Sequence, residues 1–172
     1  MKRLLKNGYL FTGNGLLPVR EELLVDGDRI AALLPAGACV QADEVVDLHG
    51  KAVIPGFVQT HVHFCQVLFR GLADDLALLD WLRTRIWPYE AAHDEESTYL
   101  SALLGSMELL AGGVTSVCVM ESVRHADAAA RAIEETGIRA VFGKAMMDYT
   151  DTPGELGGMP QAFLETTQES LD

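Results

Sequence analysis

The sequence predicts an α/β chain: a small β-rich unit followed by the N-terminal part of a (β/α)8 barrel. Three observations carry this. Residues 1–52 are short apolar runs broken by turn residues. From residue 53 onward, β-branched strand segments alternate with helical segments, the order that yields parallel βαβ units with right-handed crossovers. No glycine-rich phosphate loop follows the first of those strands, which argues against a nucleotide-binding doubly wound sheet. A whole barrel takes about 250 residues, so only about three of its eight β/α units fit here. The barrel is therefore expected to be incomplete in this chain, the first part of something longer.

In order, the stretch "LLKNGYLFTG" reads as short strands ending in a turn at Gly13-Asn14-Gly15. "ELLVDGDRIAALLP" reads as two strands joined at Asp26-Gly27, a dipeptide suited to a type I′ hairpin turn. "EVVDLHGKAVIP" holds another strand and a turn at His49-Gly50. Residues 53–172 form the second region, which opens on "AVIPGFVQTHVHF", an extended apolar run broken at Pro55-Gly56 and expected to be a buried first barrel strand. Leu76, Leu79, Trp81, Leu82 and Ile86 predict a helix, with Asp74-Asp75 at its start, where negative charge is favoured. Asp94 is the expected N-cap of a second helix, whose apolar stripe is Leu100, Leu103, Leu104, Met107 and Leu110 and whose end is Gly112-Gly113. A buried strand is predicted over 114–120, then a helix over 123–136 capped by Ser122 and stopped by Gly137, then a buried strand over 138–147. A Gly/Pro-rich loop at 150–160 leads into the start of another helix.

Composition narrows the class. A formal net charge of −12 disfavours nucleic acid and anionic lipid as partners and leaves a small-molecule substrate. Lys2-Arg3 are followed only by Leu4-Leu5 before Lys6-Asn7-Gly8, so no secretory leader is expected, and no apolar run is long enough for a membrane span. The three cysteines, Cys39, Cys65 and Cys118, form no CxxC pair, which points to a reducing compartment, by default the cytoplasm.

The chemistry concentrates in "PGFVQTHVHFCQ", residues 55–66. Alternate strand residues share a side, so His61 and His63 aim together while Val62 aims away. Two imidazoles converging at the C-terminal end of a strand make half of a metal site, and in a barrel that end carries the active site. The bland alternative, two histidines on a solvated edge, sits poorly in an apolar run, where an unsatisfied polar group costs roughly 1–3 kcal/mol.

"VIPGFVQTHVHF", preceded by "VDGDRIAAL" and "EVVDLHGK", resembles the N-terminal part of the amidohydrolase superfamily. Within it, "THVHFCQVLFRGLADDLALLDWLRTRIWP" looks most like the branch that deaminates S-adenosylhomocysteine, methylthioadenosine and 5′-deoxyadenosine, related to s-triazine chlorohydrolases and guanine deaminase. The resemblance implies a (β/α)8 barrel, a small β-sandwich built from both chain ends, and one divalent metal, usually zinc and sometimes iron. It implies hydrolytic deamination of a purine or adenosine-like nucleoside by metal-activated water, with guanine deamination or triazine dechlorination as alternatives. The remaining ligands and the proton-shuttling glutamate are expected beyond residue 172, leaving open that the chain alone is an inactive fragment. At full length the family leads one to expect a homo-oligomer.

Gln66, Trp81 and Glu121 are the candidates for substrate binding. In the guanine deaminase branch a glutamine at the offset of Gln66 contacts the base; the alternative is a loop residue facing water. Trp81 is core or pocket wall, or a base-stacking residue. Glu121, ending the second barrel strand, lines the pocket, hydrogen-bonds a ligand histidine, or is a helix N-terminal charge. Arg70 reads as an anchor for the loop after the first strand, and Cys65 as a small buried residue. His49, His93 and His125 are poor ligands, in a turn, at the surface and in an outer helix, and a metal-bridging role for Lys144 is disfavoured.

Overall fold

The computed structural model describes residues 1–13, 15, 17–148 and 159–171. The chain divides into two compact units, Met1–Pro55 and Gly56–Asp172, three residues later than the expected boundary at 52. The reason is local: Val53 belongs to the last strand of the first unit.

The first unit is all strand and turn. β1 (Lys2–Lys6), β2 (Tyr9–Leu10), β3 (Glu21–Asp26), β4 (Arg29–Pro35), β5 (Glu44–Asp47) and β6 (Ala52–Val53) make a four-stranded sheet in the order β4-β3-β1-β5 and a two-stranded sheet, β2-β6. β1 runs antiparallel to β3 and parallel to β5. Leu4, Leu10 and Leu23 are its buried apolar anchors. Asp26 pairs with Arg29, so the β3–β4 turn is Gly27-Asp28, one residue later than expected. Only Gly27 has positive φ, +62°, the II′ rather than the I′ pattern. Asn14, the centre of the turn expected at 13–15, lies outside the described residues.

The second unit begins with β7 (Phe57–Val62), then a 3-10 helix (Phe64–Phe69). α1 (Leu78–Trp81) continues through a π-helical turn (Leu82–Ile86) into α2 (Trp87–Ala91). The widened turn closes with the Trp87 amide on the Leu82 carbonyl, directly before Pro88. Proline has no N–H to give the Thr84 carbonyl and crowds it, and the extra residue in the turn relieves that conflict. Asp74-Asp75 do not open this helix: Asp75 has φ +60° in a bend, and helix starts at Leu78.

α3 (Glu95–Ala111) starts at Asp94 with a reciprocal capping box to Ser97 and ends at Gly112. Its expected leucine stripe is turned the other way. Leu100, Leu104, Met107 and Leu110 are exposed, and Leu103 is half-buried, while Thr98, Ser101, Ala102, Gly105 and Ser106 are buried. The small face is what lets α3 approach the 3-10 helix: a Cβ at Gly105 would stand 2.7 Å from Phe64 Cδ1.

β8 (Val114–Glu121), α4 (Ala126–Thr136) and β9 (Arg139–Lys144) follow, then a 3-10 turn (Gln161–Phe163) and α5 (Thr167–Leu171). The three strands form a parallel sheet, β7-β8-β9. Ser122 does not cap α4: that helix starts three residues later than expected, behind His125 at φ +58°, and stops at Gly137, φ +73°. The core lies between sheet and helices, where Phe64, Val117, Val119 and Ile138 meet Ala102, Ala129, Ala132 and Ile133.

The strands expected to be buried are not uniformly so. β7 and β9 are the sheet edges and are largely exposed. β8 alternates, with Val117, Val119 and Glu121 buried and Cys118 and Met120 exposed, because helices cover one face only among the described residues. The loop expected at 150–160 lies outside them up to residue 158. No helix among the described residues is long and apolar enough to cross a membrane.

Candidate metal centre and substrate cavity

β7 ends at Val62, and His63 continues it in extended conformation (φ −118°, ψ 100°), so His61 and His63 stay on one side. Their rings stand edge to face with centroids 4.6 Å apart. His63 Nδ1 lies 2.7 Å from the Met120 carbonyl of β8. A carbonyl only accepts, so Nδ1 carries the proton and the lone pair is on Nε2. A backbone carbonyl on the far ring nitrogen is the usual support of a metal-binding histidine. The pair therefore fits a divalent ion as two of its ligands. Among the described residues no group of three or more His, Cys, Asp or Glu side chains is gathered closely enough to hold a metal.

The histidines open onto a cavity of about 330 Å³ at the C-terminal ends of β7 and β8. Gln66, Trp81 and Glu121 all line it, with Leu82, Trp87, Glu90 and Met120 among the rest. Trp81 is half-buried on its wall. Gln66 sits in the first turn after the motif, and its Nε2 donates to Glu90 Oε1 at 2.9 Å. Because a carboxylate accepts, the Gln66 amide is oriented, and its oxygen has no partner among the described residues.

Glu121 is not bonded to either histidine. Its Oε1 accepts from the Cys65 amide at 2.8 Å and from the Ser122 amide at 3.2 Å. It is almost fully buried, and burial is the largest influence raising its carboxyl above the ordinary range. Cys65 is buried as expected; burial pushes its thiol up, with Glu121 and Glu90 adding to the effect.

Two residues gain roles that the sequence did not disclose. Glu90, at the end of the helix broken by the π turn, is buried and takes hydrogen bonds from Gln66 and from Ser122 Oγ at 2.8 Å. His93 is half-buried rather than at the surface, with Nε2 2.8 Å from the Cys65 carbonyl and its ring stacked on Phe69. Both bonds join segments 24 to 28 residues apart, which no local pattern reveals. Arg70 holds the end of the 3-10 helix to α3 through both oxygens of Glu108. Lys144 pairs with Glu165 at 3.1 Å, and His49 and His125 lie in a turn and before α4.

A model of the Amidohydrolase family matches residues 52–170. The 5′-deoxyadenosine deaminase of Methanobrevibacter smithii is 40% identical over 148 residues, 86% of this chain and 34% of that protein. The 5′-deoxyadenosine deaminase of Methanothermobacter thermautotrophicus is 42% identical over 147 residues, 83% of this chain and 34% of that protein. A solved adenosine deaminase from Xanthomonas campestris with bound zinc superposes with a TM-score of 0.80 at 30% identity, over 98% of this chain and 37% of that one. The chain thus spans about a third of the length of the curated relatives it matches.

Proposed function

This chain belongs to the amidohydrolase family, and on that premise we propose that it supplies the N-terminal part of an enzyme that hydrolytically deaminates a purine or adenosine-like nucleoside. The observation that carries the reading is the His61–His63 pair, its His63 proton fixed on Nδ1 by Met120 and its rings turned to one cavity. The deaminase names of the relatives support the reaction class. In this reading β7, β8 and β9 open a (β/α)8 barrel, and the two sheets of the first unit contribute to a β-sandwich.

His61 and His63 would hold one divalent metal, zinc before iron, since imidazole suits both and the Xanthomonas relative carries zinc. Such an ion lowers the pKa of bound water toward neutrality and so makes hydroxide available at physiological pH. A catalytic zinc takes about three protein ligands; the others, with the proton-shuttling carboxylate, belong to segments beyond residue 172. Trp81 and Leu82 give an apolar wall against which a planar ring can lie. Gln66, oriented by Glu90, offers its oxygen as a hydrogen-bond acceptor.

That acceptor favours one second reading, guanine as substrate, because guanine presents a ring N–H donor that an adenine nucleoside lacks. Nothing in the cavity points to a triazine. The test is made on the full-length protein, following zinc content together with ammonia release from 5′-deoxyadenosine, S-adenosylhomocysteine and guanine. His61→Asn and His63→Asn are each expected to lose both zinc and turnover. Retention of stoichiometric zinc by the double variant, or no ammonia from any of the three, would sink the reading.

A further inference from the structure

We propose that Glu121 is a positioning residue: it fixes the Phe64–Cys65 backbone, and with it the imidazole of His63, without touching metal or substrate. The inference rests on the metal-site reading above. It starts from an anomaly of pattern. Val117, Val119 and Glu121 share the buried face of β8, and a third apolar residue belongs there. A carboxylate stands there instead, 1% exposed, with Oε2 without a hydrogen-bond partner among the described residues. Burying such a group is costly, and the alternative, a third valine, would pack without that cost.

What the carboxylate does is bridge a gap. The β7–β8 register shifts after Gln59, and the last paired residues are Val62 and Val119. Past that point two successive residues of β8 take over. The Met120 carbonyl accepts from His63 Nδ1, and Glu121 Oε1 accepts from the Cys65 amide. Two more side chains grip the same segment from other elements. Ser101 Oγ of α3 donates to the Phe64 carbonyl at 2.6 Å, and His93 Nε2 donates to the Cys65 carbonyl. The residues directly after His63 are thus held by side chains from β8, α3 and the α2–α3 turn. Side-chain bonds fix a direction that a frayed ladder cannot, and His63 Nε2 is the atom so directed.

The test titrates cobalt(II) into the metal-free full-length protein, followed by its visible absorption, and reads the His63 tautomer by ring 15N shifts. Glu121→Leu suits the apolar face of the strand but removes the acceptor. Glu121→Gln keeps a carbonyl oxygen for the Cys65 amide. Ser101→Ala loosens the segment from the opposite side. Expected is a roughly 10–100-fold loss of cobalt affinity in E121L, as for other groups that orient metal ligands. E121Q is expected to restore most of that affinity, and S101A to fall between. A folded E121L that binds cobalt like the wild type overturns the proposal. If E121L does not fold, S101A decides, and wild-type affinity in S101A overturns it. If the wild-type protein binds no cobalt, the metal-site reading itself fails, and the tautomer then judges the positioning role. Loss of the Nδ1–H form of His63 in E121L, or in S101A should E121L not fold, supports it; retention overturns it.

Discussion

At the start of the parallel sheet, Gly56 packs against the Thr115 side chain and the Phe57 amide bonds the Gly113 carbonyl, which leaves no room for a side chain at residue 56. At the far end, the same strands are joined through His63, Glu121, Glu90, Gln66 and Ser122, all by side chains. The first end is closed by sterics and tolerates no addition. The second carries two buried carboxylates, Glu90 and Glu121, and faces a cavity. This division, stability at one end of the strands and chemistry at the other, is the one parallel β/α architectures follow. It makes the two ends separately breakable.

The largest effect is expected at the steric end. In Gly56→Ala the new Cβ would overlap Thr115 Oγ1 and Cγ2 and stand 2.8 Å from Thr115 Cβ. Thr115 is branched at Cβ and cannot swing aside, so a loss of about 3 kcal/mol is expected in urea unfolding, the upper part of the overpacking range. The folded fraction should bind metal as the wild type does. An unchanged urea midpoint would show that the tight approach does not matter.

Gly105→Ala sharpens the contrast because it acts on the other end. Its Cβ would press on Phe64 Cδ1 at 2.7 Å and Val67 Cγ2 at 2.8 Å. Overpacking costs about 1–3 kcal/mol, and alanine returns about 1 kcal/mol of helix propensity. The net loss of stability is therefore smaller than at Gly56, yet metal affinity should fall, since the 3-10 helix follows His63 directly. Equal metal affinity in the two alanine variants would erase the distinction.

The smallest effect is a pH dependence. Burial holds the Glu121 carboxyl above its ordinary value of 4.5. A raised folded-state value contributes stability that is full below the unfolded value and is lost as pH rises through the folded one. Relative to Glu121→Gln, the wild type should therefore lose stability as pH climbs upward from about 4.5. Parallel stability curves for the two proteins would contradict this.

Much of this frame was legible in residues that act locally. Asp94 caps within one turn, Gly112 and Gly137 end helices, and the HxH spacing puts two rings on one side through strand parity alone. What was not legible depends on distant partners. The leucines of α3 have helical spacing, but spacing does not say which face meets the core, and the small residues won because Phe64 needed room. Ser122 looked like a cap and instead reaches Glu90, 32 residues away in sequence. Glu90 and His93 carry no motif at all; their roles exist only once α2 has folded back on the residues after His63.

Cys65 turns this arrangement into a clock. Its thiol is buried, raised by its surroundings and pointed at Glu90, whereas Cys39 and Cys118 are exposed. A thiol reagent will label the two exposed cysteines at once and must wait for the Phe64–Gln66 segment to open before it reaches the third. The slow phase of labelling therefore measures how often the scaffold behind the histidines comes apart.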